Sequence, residues 1–248
     1  MAEEAEWSRG VGARIGAVAA LWRYPVKSML GEEVEETIVT ERGLVGDRAY
    51  AVADAKSGEI RNAKRAGWEN LFEFHAALTG GPDGTPSYLR ITLPDGEVVT
   101  VEAEDRDEKL SGAFGREVRL VSGDAFFDLG AVHLLTISSL KRLGESYPAG
   151  RFDPRRFRPN IVLDLDSGEA SFVEDGWIGR VLSVGEEVRL RVTESVARCV
   201  MTTLPQADLP KDSGIMSTTY RHNDNNLGVY VRVLQGGKIR RGDRVVLV

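Results

Sequence analysis

At 248 residues, 42% of them hydrophobic, the chain can bury one large core or two modest ones. A net charge of −6 argues against nucleic-acid binding through a global positive field. One cysteine excludes an internal disulfide, a multi-cysteine zinc site and a cysteine-ligated iron–sulfur cluster, and the three histidines form no HExxH pair.

The acidic start, Met1-Ala2-Glu3-Glu4-Ala5-Glu6, lacks the basic and apolar regions of a signal peptide. Residues 1–13 read as a disordered lead-in to a cytoplasmic protein. The longest apolar stretch, Ile15–Trp22, is eight residues, against roughly 20 for a membrane span. No membrane or nucleic-acid partner is therefore expected. This stretch reads as the first strand, and it runs into Tyr24-Pro25-Val26-Lys27-Ser28. Pro25 cannot donate to a sheet ladder, so Lys27 and Ser28 leave in a loop at the strand end. An ammonium beside a hydroxyl and free amides suits a phosphate. A solvated lysine after a proline bend is the plainer reading of that segment alone.

Strands follow at Val34–Thr40 and Asp47–Ala53, with Gly43-Leu44-Val45-Gly46-Asp47-Arg48 between them. The two glycines permit close backbone approach, and Arg48 offers a planar fork for a phosphate or a heterocycle. A structural Asp47–Arg48 pair at a strand start explains the same residues equally well. After the Gly80–Pro86 loop, strands at Tyr88–Leu93 and Glu97–Glu102 are joined by a Pro-Asp-Gly turn. Arg106–Phe114 reads as a helix and Glu117–Val121 as a strand. A domain division near 123–126 gives an N-terminal domain over 14–124 and a second over 125–248.

In the second half, Leu140 and Leu143 repeat at helical spacing within Ser138–Tyr147. The segment Arg151-Phe152-Asp153-Pro154-Arg155-Arg156-Phe157-Arg158-Pro159-Asn160 places four arginines in eight residues. Phe152 and Phe157 anchor it, and Pro159 biases Arg158 toward extended geometry. Arg158 is thus the member expected in a site, beside the donor and acceptor capacity of Asn160. Arg151, Arg155 and Arg156 read as a solvated basic turn. Strands are expected at Asn160–Leu165, Arg180–Val184, Glu187–Val192 and Arg198–Thr203; Val188, Leu190 and Val192 alternate onto one face. Alternation in the last of these sets Arg198 and Val200 against Cys199 and Met201. A lone cysteine is commonly an inert small hydrophobe. A cationic neighbour favours its thiolate, however, and a soft thiolate suits a metal already held by other sulfurs. A polar linker over 204–226 and strands at Gly228–Leu234 and Arg244–Val248 complete the chain. Many short strands with tight turns make the protein mainly β with a few helices, a barrel or sandwich architecture.

Five segments then occur in one order: Leu21-Trp22-Arg23-Tyr24-Pro25-Val26-Lys27-Ser28, Phe157-Arg158-Pro159-Asn160-Ile161, Arg198-Cys199-Val200-Met201-Thr202-Thr203, Leu227-Gly228-Val229-Tyr230, and Gly237-Lys238-Ile239-Arg240-Arg241-Gly242-Asp243. In that order, over Ile15–Val248, they resemble the MOSC-domain family, in the branch with an extra N-terminal β-barrel domain that includes the mitochondrial amidoxime reducing component. The resemblance implies two β-barrel domains with a molybdenum–pterin cofactor (Moco) in the cleft between them. By motif position Cys199 matches the molybdenum-binding, catalytic cysteine. Lys27, Ser28 and Arg48 match positions that hold the pterin phosphate and rings; Arg158 and Asn160 match the segment lining the same cleft, and Tyr230 a tyrosine close to it. Leu204-Pro205-Gln206-Ala207-Asp208 departs from the family pattern, and Glu59–Arg65 aligns only loosely with a cofactor-contacting stretch.

The implied activity is reduction of N-hydroxylated small molecules. With no dinucleotide fingerprint and no spare cysteine, the electrons come from a separate donor protein: a ferredoxin, a flavoprotein or a haem protein. Two rivals share these residues. One is a carrier of Moco or its sulfur without turnover; the other is a pyridoxal phosphate site built on Lys27.

Overall fold

The computed structural model describes residues 12–80, 88–123, 126–127 and 130–248. The expected lead-in up to residue 11, the loop over 81–86 and the 124/125 division lie outside the described residues.

The first strand, β1 (Ala13–Arg23), is long, and its core-facing positions shift part-way along. Val18 and Leu21 are both buried at a spacing of three, because a bulge between Val18 and Ala20 resets the register against its partner. A bulge adds one residue to one side of a ladder and bends the strand. This lets β1 serve three neighbours: β2 (Glu32–Val34), β16 (Arg244–Leu247) and β11 (Ile161–Leu165). Residue 16 must be glycine, since a Cβ there would lie 2.0 Å from the carbonyl oxygen of Asp164.

The last of these pairings closes a barrel. Its staves run β11, β10 (Val132–Thr136), β14 (Asn226–Gln235), β13 (Val188–Ala197), β12 (Val181–Val184), β16 and β1, which returns to β11. Neighbours are antiparallel except β10 and β11, which are parallel and joined through the helix α2 (Ile137–Ser146). Parallel strands require such a crossover. Alternate side chains of each stave fill the interior, including Val18, Leu134, Leu163, Leu182, Leu190, Val231 and Val245. Six staves come from residues beyond 131 and the seventh from the start of the chain. The strand β3 (Glu36–Thr40) also crosses over, pairing with β15 (Gly237–Arg240) and with β4 (Gly43–Leu44).

Between these staves the chain builds a second unit. It comprises a ladder of β5 (Tyr50–Asp54) with β9 (Val118–Ser122), and a sheet of β6 (His75–Thr79), β7 (Tyr88–Thr92) and β8 (Val98–Thr100). The helix α1 (Arg106–Phe114) packs against them. Phe72, Phe74, Leu89, Ile91, Leu110 and Phe114 form its core, with the Phe74 and Phe114 rings stacked at 4.1 Å. Leu204 from the other half joins this core, so the segment after Cys199 rests on the seam. A third cluster, including Leu140, Leu143 and Ile215, packs α2 and α3 (Gly214–Asn223) together.

Two sequence expectations are corrected here. The 204–226 linker contains α3 rather than only loop. Arg198–Thr203 is not a strand: β13 stops at Ala197, Cys199 is extended, and Val200–Thr203 forms a 3-10 turn. The hydroxyls of Thr202 and Thr203 donate to the carbonyls of Cys199 (3.0 Å) and Val200 (2.8 Å). Such local bonds offer the backbone an alternative to ladder pairing. The expected alternation of Cys199 and Met201 therefore does not apply.

A cationic cleft around the single cysteine

A cavity of about 180 Å³ opens where the two units meet. Lys27 and Ser28 reach it because Val26 bridges to Tyr50 and the amide of Met29 donates to the carbonyl of Val26 at 3.2 Å. That tight turn holds buried Ser28 at φ 64° and brings Lys27 Nζ to the carbonyl of Phe126 at 3.0 Å.

Arg48 follows the expected strand start, but Asp47 and Arg48 lie in a turn before β5. Buried Asp47 accepts from the amide of Tyr24 at 2.7 Å and from the Arg48 guanidinium. Arg48 also donates to Asn160 Oδ1 (3.4 Å) and the carbonyl of Arg158 (3.3 Å). Arg158 has φ 55°, not the extended geometry that Pro159 favours. Its amide donates to the carbonyl of Pro154 at 3.1 Å, ending the 3-10 turn Pro154–Arg156 in a left-handed residue. Local closure of that turn outweighs the proline's bias. The two guanidiniums stack on Tyr24, at 4.9 Å for Arg48 and 4.1 Å for Arg158. A desolvated cation–π contact contributes about 0.5–2 kcal/mol, offsetting the mutual repulsion of the two cations. Burial pushes the Tyr24 phenol well above its usual pKa, although both arginines pull it down.

Asn160 lines the cleft, but its amide is engaged by the backbone. Nδ2 donates to the carbonyl of Trp22 at 3.2 Å, and Oδ1 accepts from the amide of His133 at 3.1 Å. It fastens β1 to β10 and steadies Arg48.

Cys199 is a half-buried free thiol on the cavity wall. The β13–β14 pairing shifts register three times, and the last shift, between Ser195 and Ala197, bends the chain just before it. Asn225 pins the preceding residue from both sides. Its carbonyl accepts from the Arg198 amide (2.8 Å), and its Nδ2 donates to the Arg198 carbonyl (2.7 Å). The Arg198 guanidinium is buried, donating to the carbonyls of Phe157 (3.0 Å) and Leu227 and to His133 Nε2 (2.6 Å). Burial lowers its pKa to about 10, against the opposing pull of Tyr230, Cys199 and Glu174. Burial first, and then the Arg198 charge, holds His133 well below its usual pKa. A neutral imidazole accepting at Nε2 is the state that an arginine donor requires. Tyr230 sits on β14 opposite His133 of β10, and the two rings meet edge to face at 6.1 Å.

Arg156 reverses a sequence expectation. It is 1% exposed rather than solvated, and it donates to the carbonyls of Arg151 (3.0 Å), Thr202 (3.3 Å), Leu204 (3.3 Å) and Pro210 (2.7 Å). Arg151 and Arg155, also expected in a solvated basic turn, are more exposed than Arg156 but are held in ion pairs with Asp208 and Asp153.

All seven residues expected in the site line this cavity: Lys27, Ser28, Arg48, Arg158, Asn160, Cys199 and Tyr230. His133, Phe126, Phe127, Arg156 and Lys64 line it as well and were not anticipated. Lys64 lies in the loosely aligned Glu59–Arg65 segment, the one signal that could have found it. His133 gave no local signal, since only the β10–β14 register aims it inward. Six cationic side chains therefore line the cavity (Lys27, Arg48, Lys64, Arg156, Arg158 and Arg198) and, among the described residues, no carboxylate does. A cleft of one sign with low-dielectric walls focuses its field and favours an anion. The described residues contain no cluster of three His, Cys, Asp or Glu side chains able to hold a metal. A metal placed at Cys199 would thus bring most of its ligands with it, as a soft, sulfur-ligated ion does. Among the described residues no helix is long and apolar enough to cross a membrane.

Residues 15–126 match the MOSC N-terminal beta barrel domain and residues 124–246 match the MOSC domain. The chain is 26% identical to mitochondrial amidoxime reducing component 2 of Rattus norvegicus over 294 residues, covering 94% of this chain and 83% of that protein. Among solved structures, the YUAD protein of Bacillus subtilis superposes with a TM-score of 0.54 at 12% identity, covering 96% of this chain and 98% of that one. At that identity the likeness is one of fold.

Proposed function

Because this chain belongs to the MOSC family, in the two-domain form with an N-terminal MOSC barrel domain, we propose that its cleft binds Moco with Cys199 as the protein ligand and that it reduces N-hydroxylated small molecules. One observation carries the proposal: the chain's single sulfhydryl faces a cavity with six cationic side chains and no described carboxylate. That donor set fits a metal supplied with its own sulfur ligands and an anionic phosphate tail.

Lys27, Arg48 and Arg158 would neutralise the phosphate, which carries about −1.5 to −2 charges near neutral pH. Ser28 adds a hydroxyl on the same turn. Asn160 and Tyr24 hold Arg48 and Arg158 rather than touching a ligand. Tyr230 and neutral His133 border the Cys199 side of the cavity, where a small substrate would be oriented. The bound cofactor would supply the two-electron chemistry that removes oxygen from nitrogen, and the chain supplies position and electrostatics. The name of the rat relative, a component of amidoxime reduction, supports a nitrogen-bound oxygen as the reacting group. It also supports a multi-protein system. The only cysteine is already assigned, so a separate redox protein (a ferredoxin, flavoprotein or haem protein) is proposed as the electron donor.

The test is elemental analysis of wild type and Cys199→Ala produced in cells that make the cofactor, followed by turnover of an N-hydroxylated amidine with a chemical reductant. About one molybdenum per chain in the wild type, lost in the variant, with turnover only in the wild type, is expected. Equal molybdenum in both proteins overturns the ligand assignment. Loaded wild type that never turns over identifies a cofactor carrier instead.

A further inference from the structure

Of the six cationic residues around the cavity, Arg156 and Arg198 are the buried ones. Arg156 donates to four backbone carbonyls, and Arg198 to two carbonyls and the neutral imidazole of His133. Among the described residues no carboxylate bonds to either guanidinium. Asp153 and Asp212 act on Arg156, and Glu174 on Arg198, through space, and none of the three lines the cavity. Carbonyl dipoles solvate a guanidinium without cancelling its charge. That charge is felt across low-dielectric walls, well beyond hydrogen-bond range.

Beside Cys199 the wall also carries Tyr230 and unprotonated His133, both neutral. With Lys27, Arg48 and Arg158 assigned to the phosphate, Arg156 and Arg198 are left to set the field where a substrate lies. The proposed reaction changes the charge of its own reactant. An N-hydroxyl group withdraws electrons from an amidine, so an N-hydroxylated amidine is neutral near neutral pH, whereas the parent amidine is a cation. Reduction breaks the N–O bond. Two electrons from the separate redox protein and two protons from solvent give the amidine and water, and the amidine nitrogen then takes one further proton. A neutral substrate thus becomes a cation inside a cleft of the same sign.

Resting on that reading of the reaction, we propose that Arg156 and Arg198 make the cleft select by charge: it admits N-hydroxylated amidines in their neutral form and expels the amidinium product. Neither arginine touches the substrate in this role. Both act through the field of a fixed, buried charge that no carboxylate in the cavity wall offsets.

The probes are benzamidine, a cation, and benzamide, a neutral molecule of nearly the same shape. Each is titrated into the cofactor-loaded, full-length protein by ligand-detected NMR, with benzamidoxime as the competitor. Loaded protein is used so that every charge the cofactor brings is included. Benzamide and benzamidoxime are expected to bind at least about ten-fold more tightly than benzamidine. Arg198→Met should narrow that ratio at least about three-fold. Lys64→Glu sets a carboxylate in the wall at an exposed position, sparing the core, and should narrow it too. Cooperative melting of each variant confirms that it is folded. The proposal is overturned by benzamidine binding as tightly as benzamide, or by failure of both neutral probes to bind at about 20 mM. An unchanged ratio in the folded variants overturns it too. Equal binding beside intact turnover of benzamidoxime removes the charge selection alone. A ten-fold preference in loaded protein that never turns over benzamidoxime removes the proposed reaction and supports the selection.

Discussion

Replacing Arg156 by methionine removes every donor that this buried side chain places on the segment after Cys199. The guanidinium makes two short bonds, 3.0 Å to Arg151 and 2.7 Å to Pro210, and two longer ones of 3.3 Å to Thr202 and Leu204. A charge-assisted bond contributes about 1.5–3 kcal/mol net, and the longer pair contributes less. Against this, methionine relieves the desolvation that lowers the pKa of Arg156. The balance is a loss of about 3–5 kcal/mol, the scale on which truncating one partner of a buried charged network acts. For a protein of this size each kcal/mol moves Tm by about 2–4 °C, so Arg156→Met should melt roughly 6–20 °C lower. Arg156→Lys should recover less than half, because one ammonium cannot span four carbonyls on three sides. The single cysteine provides a second assay. A chromogenic thiol reagent should modify Cys199 at least ten-fold faster in Arg156→Met, because Thr202 and Leu204 are no longer tethered. A variant within about 1 kcal/mol of wild type, with unchanged thiol reactivity, would refute the reasoning.

His133 gives a pH dependence. The folded chain keeps it unprotonated, while the unfolded chain binds a proton near pH 6.5. Its contribution is therefore fully present above about pH 6.5 and is lost as the pH falls below it, at up to about 1.4 kcal/mol per pH unit. Denaturant titrations at pH 7, 6 and 5 should show this slope shrinking in His133→Gln, and equal slopes would count against a buried neutral imidazole. Gly228 has φ 74°, and a Cβ there would lie 2.5 Å from His133 Nε2 and 2.6 Å from the carbonyl of Leu134. Gly228→Ala should cost about 2–4 kcal/mol by calorimetric melting and disturb the Arg198–His133 contact; a neutral effect would contradict the close approach. Arg48→Met should reduce molybdenum content at least five-fold with Cys199 intact, and phosphate at 0.2 M should strip the variant faster than wild type. Retention equal to wild type would remove Arg48 from the anion site.

The sequence carried the parts of this protein that are local. Alternating apolar residues in Glu187–Val192 and helical spacing of Leu140 and Leu143 follow from backbone geometry alone. Both elements are present, as β13 and α2. Pro25 ending a ladder placed Lys27 and Ser28 in a loop, and the ordered motifs marked the residues that share one cavity. Tertiary structure decided what depends on distant partners. Arg151, Arg155 and Arg156 are alike in sequence, yet only Arg156 meets the carbonyls of residues 202, 204 and 210 and is buried. Asn160 carries the groups of a ligand contact, but the amide of His133 and the carbonyl of Trp22 reach it first. The role of β1 as the closing stave of a barrel built from the far end of the chain is likewise invisible to a periodicity. A strand's alternation says which of its faces is buried; it holds no information about which edge will come to lie beside it.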